Sequence, residues 1–174
     1  MTITAQLTLA DGERSISVPL CSDTLATLAE VLLDHEDLAE AFDYLSRHAD
    51  YTVRMAIARK QFLSVAAVRR LAGDPAIAVA NDLLRSSEAC KLLTNEEVLS
   101  LCKRDPSLAE SVAGRYEDFA LEDGAVTAFL ESHADTGVRA CLASNPFVPK
   151  PVLRRLAQND MDDRVRKTAG QTIA

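Results

Sequence analysis

The chain has 174 residues, of which 48% are hydrophobic and 26% charged, with six Gly and six Pro, a balance that describes one foldable globular domain and excludes a disordered or collagen-like chain. Its formal net charge of −7 at pH 7 disfavours a dedicated nucleic-acid binder, because that affinity rests on Lys and Arg neutralising phosphates. No window approaches the run of about 18 to 20 apolar residues that a membrane helix needs, and no signal peptide opens the sequence, so a soluble cytoplasmic protein is expected.

The first predicted element lies in residues 2–18, where apolar and polar positions alternate on both sides of Asp11-Gly12. That period suits a β-hairpin with a tight turn; the other reading is a loose amino-terminal tail. A hairpin there would cap the first edge of the helical body or pair with a second chain. Residues 1–20 are therefore set apart as an N-terminal hairpin or cap, and residues 21–174 as the main body.

That body repeats itself. The 28 residues from His48, HADYTVRMAIARKQFLSVAAVRRLAGDP, align without a gap with the 28 from His133, HADTGVRACLASNPFVPKPVLRRLAQND, and eleven positions are identical. An offset of 85 equals three units of about 28, and weaker copies fill the interval. Marking each unit by an Asp gives Asp23, Asp50, Asp74, Asp105, Asp135 and Asp162, spaced by 27, 24, 31, 30 and 27 residues. A carboxylate at a turn accepts hydrogen bonds from the free N–H groups of a helix's first turn and favours its positive end. Val53, Ile57 and Ala58, and again Val68 and Leu71, fall at helical spacing, so each helix offers one apolar stripe that it cannot bury alone. Stacked units bury those stripes against their neighbours. The expected fold class is all-α, an α-solenoid of five to six short helical repeats with the small N-terminal hairpin. Ala56, Ala58, Ala66, Ala67, Ala72, Ala140, Ala143 and Ala157 are its close-packing residues, and Asp163 to Thr172 form a closing helix.

From Val138 through Asn145, Pro146, Pro149 and Leu153 to Ala157 the pattern Val-Arg-x-x-x-Ala-x-Asn-Pro-x-x-Pro-x-x-x-Leu-x-x-Leu-Ala resembles the leucine-rich repeat variant, a helical repeat related in general shape to HEAT and armadillo arrays. The match is strong over 133–166, fair over 48–75, where Lys60-Gln61 stand in place of Asn-Pro, and weak over 76–132. The resemblance implies units that alternate an α-helix with a short, often 3₁₀, helix in a right-handed superhelix.

Catalytic patterns are missing: no Gly-x-Ser-x-Gly, no phosphate-cradling Gly-rich loop and no His-Glu-x-x-His occurs. His48 and His133 hold equivalent positions before Ala-Asp, which points to a role at a turn. Asp34-His35-Glu36-Asp37 has metal-ligand residue types, but adjacent positions face different sides of a helix, as in a solvated acidic turn. Cys21, Cys90, Cys102 and Cys141 belong to different units, too dispersed for an iron–sulfur cluster, and read as reduced thiols, mostly of the core. No catalytic residue, metal or cofactor is expected.

Charge is striped along the chain, −7 over residues 1–48, +2 over 49–88, −5 over 89–132 and +3 over 133–174. The basic stretches carry the candidate partner-binding residues Arg54, Arg69 and Arg70, then Arg139, Arg154, Arg155, Arg164, Arg166 and Lys167. Two interpretations are open. Either Arg54 and Arg139 pair with the repeat's own Asp residues and the others are solvated, or the basic face recognises an acidic protein or a phosphate backbone. Helical repeats without catalytic motifs predict a non-catalytic protein–protein interaction module that scaffolds or neutralises a partner, with Glu30–Asp43 and Glu117–Asp123 as acidic stretches suited to a basic one. The alternative is a nucleic-acid-binding HEAT-like repeat protein that uses the basic C-terminal face.

Overall fold

The computed structural model describes residues 5–10, 12–121 and 124–174. Contacts divide the chain into two units, Met1–Ser86 and Ser87–Ala174. In the first, β1 (Ala5–Ala10) and β2 (Ser15–Leu20) pair antiparallel, with Ala5 opposite Leu20 and Ala10 opposite Ser15. The register sets Leu7 opposite Val18 and Leu9 opposite Ile16, so these four side chains share one face. Thr8 and Ser17 meet on the other, their hydroxyl oxygens 2.8 Å apart. The link between the strands is longer than the tight turn expected. Gly12 takes a φ of +96° there, which glycine adopts without steric cost, and Asp11 lies outside the described residues.

Helices α1 (Ser22–Val31), α2 (Ala39–Leu45), α3 (Tyr51–Ala58), α4 (Val65–Ala72) and α5 (Ile77–Leu83) complete the first unit, with a 3₁₀ turn at Glu36–Leu38. α3 packs against both α1 and α5, and α4 lies along α5. The predicted stripes are buried: Val53, Ile57 and Ala58 on α3, Val68 and Leu71 on α4. The second unit opens with α6 (Ser87–Lys91) and α7 (Asn95–Arg104). It continues through α8 (Pro106–Gly114), a 3₁₀ turn at Tyr116–Asp118, α9 (Ala125–Glu131), α10 (Thr136–Ser144), α11 (Lys150–Asn159) and α12 (Asp163–Ile173). α10 packs against α8 and α12, and α11 lies along α12. Helices α8 to α12 begin 84 to 86 residues after α1 to α5. The 85-residue offset in the sequence is therefore a doubling of a five-helix set, and each copy has its own core, built on Val53, Ile57 and Leu71 in one and Val138, Leu142 and Leu156 in the other. Of the alanines expected between helices, Ala66 faces solvent and Ala140 and Ala157 are half-buried, whereas the other five are buried.

Four of the six marker aspartates cap helices. Asp50 accepts from the N–H of Thr52, Asp105 from Ser107, Asp135 from Gly137 and Asp162 from Arg164, at 2.7 to 2.9 Å. The other two differ. Asp23 sits inside the first turn of α1, whose N-cap is Cys21. Asp74 precedes α5, whose N-cap is Ala76, and its carboxylate binds the Ala76 N–H at 2.9 Å and the side chain of Arg54. The end of the second copy explains the offset: there Asp160 pairs with an arginine while Asp162 caps the helix. Asp74 is the counterpart of Asp160, and Ala76 stands where the capping carboxylate would be.

Lys60 and Asn145, equivalent in the alignment, do the same work with different chemistry. The Lys60 ammonium donates to the carbonyls of Glu30 and Leu32 at 3.1 and 2.8 Å, at the end of α1. The Asn145 amide donates to the carbonyls of Ala113 and Gly114 at 3.2 and 3.1 Å, at the end of α8. Each satisfies carbonyls that a helix terminus leaves without intrahelical partners. Asn145 Oδ1 also accepts from the Phe147 N–H at 2.9 Å, a task that falls in the first copy to Asp34, which accepts from Gln61 and Phe62. Since Asn145 is 5% exposed, Asn145→Ala is expected to cost about 1–3 kcal/mol, read as a lower urea midpoint at unchanged slope; a midpoint equal to the parent's would show that these bonds add nothing. Among the described residues no helix is long and apolar enough to cross a membrane.

Candidate functional site

The candidate arginines are placed by the repeat itself. Arg54 lies one turn into α3, and its guanidinium takes the Asp74 carboxylate at both oxygens, at 2.5 and 2.9 Å, while Nη1 donates to the carbonyls of His48 and Ala49, each at 2.7 Å. Arg139 on α10 repeats this contact for contact, with Asp160 at 2.8 and 3.2 Å and the carbonyls of His133 and Ala134 at 2.7 and 3.2 Å. The fork of a guanidinium matches a carboxylate on one side and leaves a further N–H group for the turn behind it. The turn is shaped by the histidine that opens each unit: the Asp50 N–H donates to His48 Nδ1 at 3.1 Å, and the Asp135 N–H to His133 Nδ1 at 3.0 Å. Arg166, third in the series, donates in the same way to the carbonyl of Asp160, six residues back, and pairs with Asp163 on its own helix.

Electrostatics reflect this geometry. Hydrogen bonding to Asp74 and Asp160 raises Arg54 and Arg139 above the ordinary arginine value. Burial works to raise the Asp160 carboxyl, but the Arg139 fork, the Asp162 N–H and the charges of Arg139 and Arg166 outweigh it and hold the group below its usual range. Arg139 is 5% exposed, so this pair is an internal clamp rather than a surface for a partner.

The remaining candidates divide. Arg70 on α4 reaches Ser46 Oγ at 2.5 Å and Asp43 at 3.3 Å, next to α2. Arg155, its equivalent on α11, grips Glu131 of α9 at 2.7 and 2.6 Å. Arg69 is exposed on α4. Arg154, Arg164 and Lys167 are exposed as well, and among the described residues no side-chain hydrogen bond or ion pair occupies them. Arg139 and Arg155 line a groove of about 420 Å³ together with Glu131, His133, Leu156, Asp160 and Met161. Across the Glu131–Arg155 pair lies a second hollow of about 280 Å³, bordered by Tyr116, Thr127, Pro149 and Val152. Both cations in the larger groove are matched by carboxylates, so it carries no excess charge to attract a phosphate.

Several residues that organise these contacts carry no signal of their own in the sequence. Asp160 and Glu131 stand more than twenty positions from the arginines they pair with. Arg59 links Asp82, at 2.9 Å, to Glu30, at 3.3 Å. The signal that reaches Asp74 and Asp160 is the repeat itself, since an identical Arg in both copies asks for an acid in both. Asp123, the end of the second acidic stretch, lies outside the described residues.

The cysteines are all free. Burial pushes the Cys90 and Cys102 thiols up to about 12 and raises Cys141 as well. Cys21 is exposed, and the Thr24 hydroxyl 3.1 Å from its Sγ draws its value down. Among the described residues no group of three or more His, Cys, Asp and Glu side chains converges to hold a metal ion. No family model, no curated protein and no solved structure matches the chain.

Proposed function

We propose that the chain is a non-catalytic interaction module built from helical repeats of the leucine-rich repeat variant or HEAT-like kind, arranged as a right-handed solenoid, and that its surface binds another protein. The observation that carries this reading is the fate of the eleven residues identical between the two copies. His48 and His133, Asp50 and Asp135, and Arg54 and Arg139 are accounted for by the turn, the cap and the clamp. Leu71 and Leu156 are buried, and Arg70 and Arg155 sit in ion pairs. The Phe62 and Phe147 side chains are repeated without being buried: they are 43% and 64% exposed, with the Phe62 ring 6.3 Å from that of His35. Arg154 is also identical in the two copies and exposed. Aromatic residues and arginine are the types over-represented in the binding hot spots of protein interfaces.

The test is affinity capture from native lysate with and without nuclease, run in parallel on the parent and on Phe62→Ala with Phe147→Ala. A stoichiometric protein partner that survives nuclease is expected, with affinity reduced about tenfold or more in the double variant and no change in its melting midpoint. Equal capture by both chains would overturn the assignment of these two residues.

A second reading rests on Arg154, Arg164 and Lys167, whose charges are left to solvent. If these residues form a nucleic-acid surface, the captured species disappears with nuclease, its affinity falls steeply between low and physiological salt, and Arg154→Glu with Arg164→Glu and Lys167→Glu abolishes it. Capture that is indifferent to both nuclease and the triple substitution removes this reading.

A further inference from the structure

Two antiparallel strands are at best marginally stable in water and need a third strand, or a helix against their apolar face, for independent stability. Leu7, Leu9, Ile16 and Val18 make such a face, and they are 46%, 62%, 67% and 49% exposed. Exposure rises along it from root to tip. Ala5 and Leu20 pair at the root, on the same side of the ribbon, and are the only half-buried residues of the two strands. Leu7 and Val18 come next, and Leu9 and Ile16 at the tip are the barest. The face that stands clear at its tip is thus partly covered at its root, where β2 meets α1.

The second copy shows what belongs against α1 and α2. At the chain position of β2, one residue before α8, stands α7, which packs along both α8 and α9. With α7 in place, α8 buries two neighbouring stripes, Leu108 with Val112 and Ala109 with Ala113. α1, which packs on α3 as α8 does on α10, buries only Leu25 with Ala29 and leaves Leu28 and Val31 36% and 73% exposed. Val126 and Leu130 on α9 are fully buried, whereas Ala41 and Leu45, 85 residues earlier on α2, are half-buried. The first copy therefore has the seat that α7 fills in the second, and among the described elements only the hairpin precedes α1.

We propose that the hairpin closes onto α1 and α2, laying Leu7, Leu9, Ile16 and Val18 on Leu28 and Val31 in the place that α7 takes on α8 and α9. The lengths match. β2, six residues at roughly 3.3 Å each, measures about 20 Å, and α1, ten residues at roughly 1.5 Å each, about 15 Å. The connection permits the movement. In each copy a single residue joins the two elements, Cys21 in the first and Asp105 in the second. Cys21 has φ −74° and ψ 163°, and Asp105 has φ −156° and ψ 137°, both inside the broad extended region that spans roughly −60 to −160° in φ. Turning Cys21 about its N–Cα bond through that range swings the hairpin without strain. The Cys21 carbonyl stays on the Leu25 N–H, at 2.9 Å, and Sγ stays beside the Thr24 hydroxyl, at 3.1 Å, because both lie on the helix side of that bond. Closure removes apolar surface from water on the hairpin and on α1 together, and supplies the helical support that a two-stranded ribbon lacks.

Methyl NOE spectroscopy of the full chain tests the closure. Contacts from the tip residues Leu9 and Ile16 to Leu28 and Val31 are expected, and mixing labelled with unlabelled chains should show that they arise within one chain. Cys21→Pro fixes φ near −65°, close to the open value, and is expected to abolish the tip contacts while leaving the helical circular-dichroism signal as in the parent. Should proline disturb the start of α1, Leu28→Asp with Val31→Asp charges the seat at two positions that are already exposed. The Leu9 and Ile16 methyl shifts are then expected to move to the values of a hairpin in solvent. A parent chain without tip contacts, contacts that run only between chains, or tip methyl shifts equal to the parent's in both variants overturns the proposal.

Discussion

Arg139→Ala is expected to lower the stability of the second unit by about 3–5 kcal/mol, the cost of breaking a buried ion pair from one side. The substitution strands the Asp160 carboxylate, 3% exposed in its side chain, without its counter-charge, and frees the carbonyls of His133 and Ala134 that the same guanidinium held. Arg139→Lys keeps the charge but loses the fork, and recovers part of the loss. The effect depends on pH with a definite sign. Asp160 has a folded-state value below the ordinary carboxylate range, so its contribution is fully present above the unfolded value of about 4 and is lost as pH falls through the lower folded value. In the variant the stranded carboxylate is relieved by protonation instead. Urea melts of parent and variant at neutral and at acid pH should therefore converge as the solution is acidified, and a gap that widens in acid would contradict the clamp.

Val138→Asp is expected to unfold the second unit outright. Val138 is fully buried on α10, the helix that packs against both α8 and α12, and Arg139 beside it in the chain is already engaged with Asp160. An unpaired charge in such a place exceeds the few kcal/mol that hold a domain of this size. Loss of helical signal at ambient temperature is the expected readout. A variant that melts as the parent does would refute the packing of α10.

The features legible in the sequence are local ones. Asp50, Asp105, Asp135 and Asp162 announce helix starts because a cap needs only its own next few residues, and the hairpin announces itself by its alternation. Asp74 stands in the same series and so reads as a cap, yet one repeat position serves two tasks, pairing and capping, two residues apart. Only the end of the chain, where Asp160 and Asp162 separate them, tells which task Asp74 performs. The equivalence of Lys60 and Asn145 is hidden for a related reason: their targets are carbonyls some thirty residues back, and backbone acceptors leave no trace in a sequence. Among the candidate arginines, shared basic charge hides three different environments: the buried fork of Arg139, the surface pairing of Arg155 and the solvated Arg154. Composition counts charges, and burial decides which of them remain available.

The four thiols sort the molecule into chemically distinct regions. Cys21, at the head of α1, is open to solvent with its thiolate favoured, while Cys90 and Cys102 are closed inside the second unit with theirs suppressed. An alkylating reagent therefore marks Cys21 in the native chain and reaches Cys90 and Cys102 only when α6 and α7 open. Mass spectrometry of timed labelling then gives the opening rate of that unit where alkylation outpaces reclosing and its opening equilibrium where it does not, with Cys21 as the internal standard.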